Sequence, residues 1–433
     1  MRRPALAALV ALALLASVAG LAGVARQRDR SPLVRTIQFA QSMGPVTVDP
    51  RTGYAFVLTW SPGSTGQVSA LDTRTGRLIR TIAVGSAPGG GTGALGIDHP
   101  SGHVFVAVDG DAATGTAASV TMLAARTMTV LRRTAIAPAP IGVTVDEAAG
   151  SVTVTSLGAA PAGGRPGGIA TIFEAATGRL ARVVGAPIDT IVAEDPRAGR
   201  RFIFDRGGDG RRGVLSVIDA RTGRILRHAV LASTPSAVTV DEGRQRVFAL
   251  ADRTVTTFDA RTGRPLCSAP VGGGAAAIAV DARTGRVFVA RAPFGSGGLG
   301  AIMTLDASSG RPLRTLTLTG NPTTLAVDAR HGHVFATDAG RLDGRGVLAG
   351  GGLDVLDARS GALVRRIPLG GIPGEVAIDE GTGRIVVASG SSSGAALPSP
   401  WDWIPGRLRR ALRLPVPSSR TVGGSVTLLD LSR

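Results

Sequence analysis

One short phrase, two apolar residues flanking a small one and ending in an acid, recurs along the whole chain. It is spelled Val46-Thr47-Val48-Asp49, Val143-Thr144-Val145-Asp146, Val238-Thr239-Val240-Asp241 and Ile278-Ala279-Val280-Asp281 at four places. Variants end at Asp98, Asp328 and Asp379, and a degraded copy runs from Ile191 to Asp195. Successive acids lie 49, 48, 49, 46, 40, 47 and 51 residues apart. A period of about 40–50 residues is that of a propeller blade. Each phrase is followed by a second apolar run, such as Val104-Phe105-Val106 or Val287-Phe288-Val289. A third run ends in another acidic turn, as in Leu71-Asp72-Thr73-Arg74-Thr75-Gly76-Arg77, and a fourth leaves it. Asp at the start of a turn can accept backbone N–H groups two residues on. Gly near its end takes the left-handed conformation that reverses the chain. These residues are therefore assigned to turns rather than to catalysis.

The count at the two ends fixes the topology. Three strands follow from Asp379, ending at Val426–Leu431, while a spare strand, Leu33–Phe39, precedes the first phrase. Its Val34-Arg35-Thr36-Ile37 matches Ile79-Arg80-Thr81-Ile82. The expectation is an all-β propeller of eight four-stranded blades, closed by the N-terminal strand completing the C-terminal blade. Seven blades is the alternative if the degraded copy near Asp195 is not a full blade. Closure removes the exposed edges that make open sheets aggregate.

Composition narrows what such a ring can do. All 48 basic residues are Arg, and net charge is +17. Because the arginines recur at turn positions instead of clustering, a G+C-rich coding bias is the plainer source of the excess. Aromatic content of 3% argues against stacking platforms for single-stranded nucleic acid, so nucleic acid is not an expected partner. The single cysteine, Cys267, excludes an internal disulfide and is expected as a small buried apolar residue.

The N-terminus reads Arg2-Arg3 followed by an uncharged run from Pro4 to Ala25. That length suits either a bilayer span or a secretory signal. Residues 1–30 are expected to be a signal peptide or membrane anchor with a short linker, and residues 31–433 one propeller. Both options place the propeller outside the cytoplasm: secreted, periplasmic or anchored on the outer face of the membrane.

The unit Ser216-Val217-Ile218-Asp219-Ala220-Arg221-Thr222-Gly223-Arg224, followed by Pro235-Ser236-Ala237-Val238-Thr239-Val240-Asp241, resembles the YVTN repeat of YncE-like and surface-layer propellers. The resemblance covers nearly everything from Leu33 to Arg433 and implies an extracytoplasmic propeller without assigned chemistry. The stretch Ala70–Arg77 also resembles the blade motif of quinoprotein dehydrogenases. That motif places a docking tryptophan where this chain has Arg80, with Arg182, Arg227, Arg314 and Arg365 at the equivalent positions. A quinone-cofactor oxidoreductase is accordingly the remote reading.

Function is expected on the face opposite the repeated acidic turns, because variable loops on a rigid scaffold carry binding. Three loops there hold paired acids: Asp109 with Asp111, Asp205 with Asp209, and Asp338 with Asp343. Calcium, which needs several oxygens from one site, is the metal these loops would suit, but no EF-hand spacing is present and no cofactor is predicted. The repeated-turn face is expected to be solvated and laced with weak ion pairs. A 391–424 insertion in the last blade carries Trp401, Trp403 and Ile404, then Arg407, Leu408, Arg410 and Leu412 at helical spacing. These residues are expected to form a lid over the channel mouth, or alternatively an interface with an anionic membrane surface or a partner. No catalytic or metal-binding residue stands out. The leading expectation is a monomeric binding or scaffold module for a protein or polysaccharide. The rival is a lactonase-like hydrolase or lyase using the central channel, which needs acids and bases converging there.

Overall fold

The structure is a computed structural model describing residues 33–431, except 61–64, 87–92, 112–114, 148, 158–167, 187–190, 196, 207–211, 220–223, 232, 252, 293–298, 343–347, 370 and 391–422. Its strands form eight four-stranded antiparallel sheets, the blades, and a two-stranded hairpin at Arg341–Leu342 and Leu348–Ala349. Blade 1 is typical: Ser42–Asp49, Tyr54–Trp60, Thr65–Asp72 and Leu78–Ser86 follow one another from the axis outwards. The degraded repeat is a complete blade 4, built from Ile191–Asp195, Arg200–Arg206, Gly213–Asp219 and Ile225–Leu231. The seven-blade alternative is thereby excluded. Blade 8 takes three strands from the C-terminal end, Ile372–Asp379, Arg384–Gly390 and Gly424–Asp430, and its outer strand from the N-terminal end, Leu33–Phe39. In that closing pair Thr36 faces Thr427 and Phe39 faces Gly424, as the spare-strand argument requires.

All first-to-second and third-to-fourth strand turns lie at one end of the blades, here the lower face. The inner turns share one mechanism. Asp49 Oδ1 accepts the Arg51 N–H at 3.0 Å, Asp146 Oδ1 that of Ala149 at 2.8 Å and Asp241 Oδ1 that of Arg244 at 2.9 Å. Four residues after the acid the chain passes through positive φ, at Gly53, Gly102, Gly150, Gly199, Gly285, Gly332 and Gly383. Blade 5 alone uses a residue with a side chain there, Gln245, at φ 52. The inner-turn acids are not solvated as expected. Asp195, Asp241 and Asp281 are fully buried, and Asp49, Asp328 and Asp379 are 1% exposed. Neighbouring inner turns are clasped to one another: Arg51 of blade 1 donates to the carbonyls of His99 and Pro100 in blade 2, and Arg330 of blade 7 to that of Gly381 in blade 8.

The core lies between blades. One cluster joins Phe56, Leu58 and Val68 of blade 1 to Val104, Val106 and Leu123 of blade 2. Another joins Phe288 and Ile302 of blade 6 to Val334 and Leu356 of blade 7. The third residue of the second strand is Phe in six blades (Phe56, Phe105, Phe202, Phe248, Phe288 and Phe335), each 1% exposed or less. Burying one such ring contributes about 2–3 kcal/mol.

Arginine takes over the place of a docking tryptophan. Arg80 of blade 1 donates to the Thr127 carbonyl in the outer turn of blade 2 at 3.2 Å, and Arg132 of blade 2 to the Thr177 carbonyl of blade 3 at 3.1 Å. At the ring closure Arg35 of blade 8 lies over Gly76 of blade 1, where an added Cβ would meet the Arg35 Cβ at 2.7 Å. Blade 5 has Cys267 at this position, under Gly310 of blade 6. Cys267 is half-buried, not the core residue expected, because the fourth strand is the outermost one.

Candidate functional site: the upper face and the axis

The upper face is made by second-to-third strand loops and by the links between blades. The candidate interface residues Trp401, Trp403, Ile404, Arg407, Leu408, Arg410 and Leu412 lie outside the described residues. Their segment leaves the end of Arg384–Gly390 and returns at Gly424, so its roots are on the upper face of blade 8.

Of the paired acids, Asp209, Asp343 and the Asp205 side chain also lie outside the described residues. Asp109 is engaged in holding its loop. Its Oδ1 accepts the N–H of Gly110 at 2.8 Å and that of Ala139, in the link to blade 3, at 2.9 Å. Asp111 bridges Thr116 through two backbone hydrogen bonds of 2.8 Å. Among the described residues no three His, Cys, Asp or Glu side chains come together in a way that could hold a metal ion.

Asp338 belongs to a cluster that sequence reasoning missed. Three residues before each outer-turn acid, or its equivalent, a third-strand side chain faces one on the fourth strand. The pairs include Ser69 with Thr81, Thr121 with Arg133, Ser216 with His228, Thr256 with Ser268 and Thr427 with Thr36, all hydrogen-bonded at 2.8–3.3 Å. In blade 7 the pair is Asp354 with Arg366. Arg366 forks between Asp354 Oδ1 at 3.3 Å and Asp338 Oδ2 at 2.7 Å, and also donates to the Gly350 carbonyl at 3.1 Å. Asp338 Oδ1 accepts the backbone N–H groups of Asn321 and Gly340 at 2.7 and 2.8 Å. Both carboxylates are completely buried. Two buried acids therefore share one guanidinium. Burial pushes the Asp354 pKa up to about 6, Arg366 opposes the rise, and Asp338 adds to it. The signal available in the sequence was an acid at a position that is Ser or Thr in six of the other seven blades. Chemically this is a self-satisfied knot that pins two upper loops of blade 7.

The axis is the other candidate. Innermost strands of most neighbouring blades touch one another, so they line the centre of the ring. Four residues before the turn acids stand Pro45, Ala94, Gly142, Ala237, Ala277 and Thr324, all neutral, and in blade 8 Glu375. Glu375 sits in the bulge between Pro373 and Val376 of the innermost strand of blade 8. The residue as a whole is exposed, while partial burial of its carboxyl raises the pKa above the usual carboxylate value. Glu194, the one other acid within the innermost strands above the turns, has its side chain outside the described residues. The described innermost strands carry no histidine.

Solved structures with this fold are numerous. The chain is similar to a europium-containing methanol dehydrogenase at 14% identity, covering 94% of each chain with a TM-score of 0.61. It is similar to BamB from Moraxella catarrhalis at 16% identity, covering 93% of this chain and 98% of that one, with a TM-score of 0.51. It is also similar to dihydro-heme d1 dehydrogenase NirN at 14% identity, covering 82% and 73%, with a TM-score of 0.58. Likeness at these identities establishes the eight-bladed propeller and nothing finer. No protein-family model and no curated protein matches the chain.

Proposed function

We propose that the chain is an extracytoplasmic, YVTN-type propeller acting as a non-catalytic binding or scaffold module for a protein or polysaccharide. The observation that carries this reading is the axis. A hydrolase or lyase needs an acid and a base within hydrogen-bond reach of one substrate. At corresponding positions of the described innermost strands Glu375 stands among Pro, Ala, Gly and Thr, and those strands carry no histidine. The blade 7 acids are turned inward onto Arg366 and are inaccessible to substrate. The charged groups of the repeats serve the ring itself, by closing turns and clasping neighbouring blades. Recognition is left to the upper loops. The extracytoplasmic placement rests on the apolar run from Pro4 to Ala25 behind Arg2-Arg3. The quinoprotein reading gains nothing from the fold, since the tryptophan position of its blade motif is filled by arginines that dock blades in their own way.

The experiment uses the propeller of residues 31–433 against a panel of lactones and esters, and against immobilised cell-surface polysaccharides. The reading expects no turnover, together with saturable binding that persists in Glu375→Gln. Turnover that disappears in Glu375→Gln would replace it with a channel enzyme.

A further inference from the structure

The lower face has a charge imbalance that follows from how its turns are built. The repeats spell turn acids and turn arginines in comparable numbers, but the fold treats them differently. The inner-turn acids are buried, and the outer-turn acids are drawn onto backbone N–H groups and hydroxyls. Ser309 holds Asp306 that way through its backbone N–H at 2.9 Å and its hydroxyl at 2.9 Å, below the usual carboxylate range. The arginines between them point outward. Thirteen arginines in the described lower turns are exposed, against three exposed acids at this end of the blades, Glu147, Glu174 and Glu380. Asp72, Asp259, Asp306 and Asp357 stay ionised and half-exposed, so the folded turns present arginine in excess over acid at the surface.

A second observation says what this disc meets. In the closing strand Leu33 pairs with Leu429, beside the lower end of blade 8, and Phe39 pairs with Gly424 at the upper end. The chain therefore enters the ring at the lower face. The apolar run ends at Ala25, leaving residues 26–32 as the connection. Seven residues span at most about 25 Å. That connection carries Arg26, Arg28 and Arg30 against the single Asp29. The insertion with Trp401 and Trp403 is rooted at the opposite face.

We propose that the lower face is a membrane-docking surface for anionic phospholipid headgroups, which holds the ring flat and presents the upper loops and the insertion away from the bilayer. Attraction of this kind is screened by salt and needs no pocket, only an excess of positive charge within a Debye length of the headgroups. This moves the lipid contact from the tryptophan-bearing insertion, where the sequence alone suggested it, to the other side of the molecule. The proposal does not depend on what the upper face binds.

The test is co-sedimentation of residues 31–433, which contain every strand of the closed ring, with vesicles of 30% phosphatidylglycerol in phosphatidylcholine. The variant carries Arg74→Gln, Arg77→Gln, Arg261→Gln, Arg264→Gln, Arg311→Gln and Arg359→Gln, all at exposed turn sites. The control carries Arg253→Gln and Arg341→Gln on the upper face. Each arginine near an anionic surface is worth about fivefold in binding, so the six-site variant is expected to bind at least about a hundredfold more weakly. Wild type and control should bind alike, lose binding at high salt, and ignore pure phosphatidylcholine. Absence of wild-type binding, equal binding by the six-site variant, or loss only in Trp401→Ala/Trp403→Ala would overturn the proposal. So would tighter binding to a 30-nucleotide DNA than to the vesicles. Circular dichroism melting identifies any variant that has lost its fold, and Arg261→Gln/Arg311→Gln alone, expected to lose more than tenfold, then carries the test.

Discussion

The buried pair in blade 7 makes stability rise on mild acidification, against the trend of the turn acids. Asp354 is fully buried and its folded pKa is about 6, against an ordinary 3.8. A carboxyl whose folded pKa is raised binds its proton more tightly in the native state. Its contribution is therefore unfavourable at neutral pH and is relieved as pH falls through 6 towards 4. At 1.36 kcal/mol per pKa unit, the relief between pH 7 and pH 4.5 is about 2 kcal/mol. The hydrogen-bonded turn acids Asp306 and Asp357 have lowered pKa values, so their stabilisation is present above the ordinary carboxylate pKa and is lost only below it. They do not interfere in this window. Glu375, also raised, acts in the same direction as Asp354 and must be subtracted. The measurement is urea unfolding of wild type and Asp354→Asn at pH 4.5 and pH 7. Asn keeps the shape and a partner for Arg366, which retains Asp338. Wild type should gain about 2 kcal/mol more than the variant on going to pH 4.5. Identical pH dependence in the two proteins, or a wild type that loses stability relative to the variant, would refute the reasoning.

Other outcomes follow from the packing. Phe288→Ala empties a completely buried site between blades 6 and 7 and should cost about 3–5 kcal/mol, read from chemical unfolding. Gln245→Gly relieves a side chain at φ 52 on an exposed turn and should raise stability by about 0.5–1 kcal/mol, with Gly243→Ala in the same turn giving no such gain. Deleting 33–39 strips the outer strand from Gly424–Asp430 and uncovers the Val426 and Leu428 cluster against which Ile37 and Phe39 pack, so the shortened chain should aggregate on expression; a soluble monomer with wild-type melting would contradict the closure.

The ring was legible because it is written in local chemistry repeated at a fixed period. An Asp and a Gly four residues apart specify the same reversal wherever they occur, so even the degraded copy at Asp195 could be assigned to a blade. Closure was legible from a strand count that balanced only if Leu33–Phe39 crossed to the far end. What was not legible depends on contacts between repeats. Asp241 and Asp281 are fully buried in the folded ring, which the polar sequence of their turns does not announce. Arg80 read as a missing tryptophan, and its role emerged only with the Thr127 carbonyl beside it. Asp354, Arg366 and Asp338 lie on three different strands and meet through register alone, although Asp354 departs visibly from the Ser/Thr of its repeat position. The insertion and the N-terminal run lie outside the described residues, so their expected roles stand as proposals.

The two faces of the ring are told apart by where the N-terminal strand enters it. Thr36 and Thr427 are Cα partners in the closing pair, with their hydroxyls 3.3 Å apart. Thr36→Cys/Thr427→Cys, made in a Cys267→Ser background, should form a disulfide under mild oxidation. It would join residues 391 positions apart and shift the denatured chain's electrophoretic mobility in a reductant-sensitive way. The offset pair Thr36→Cys/Ser425→Cys should remain reduced. Cross-linking of the offset pair, or of neither, would contradict the register, the eight-bladed closure and the assignment of the lower face to the chain's point of entry.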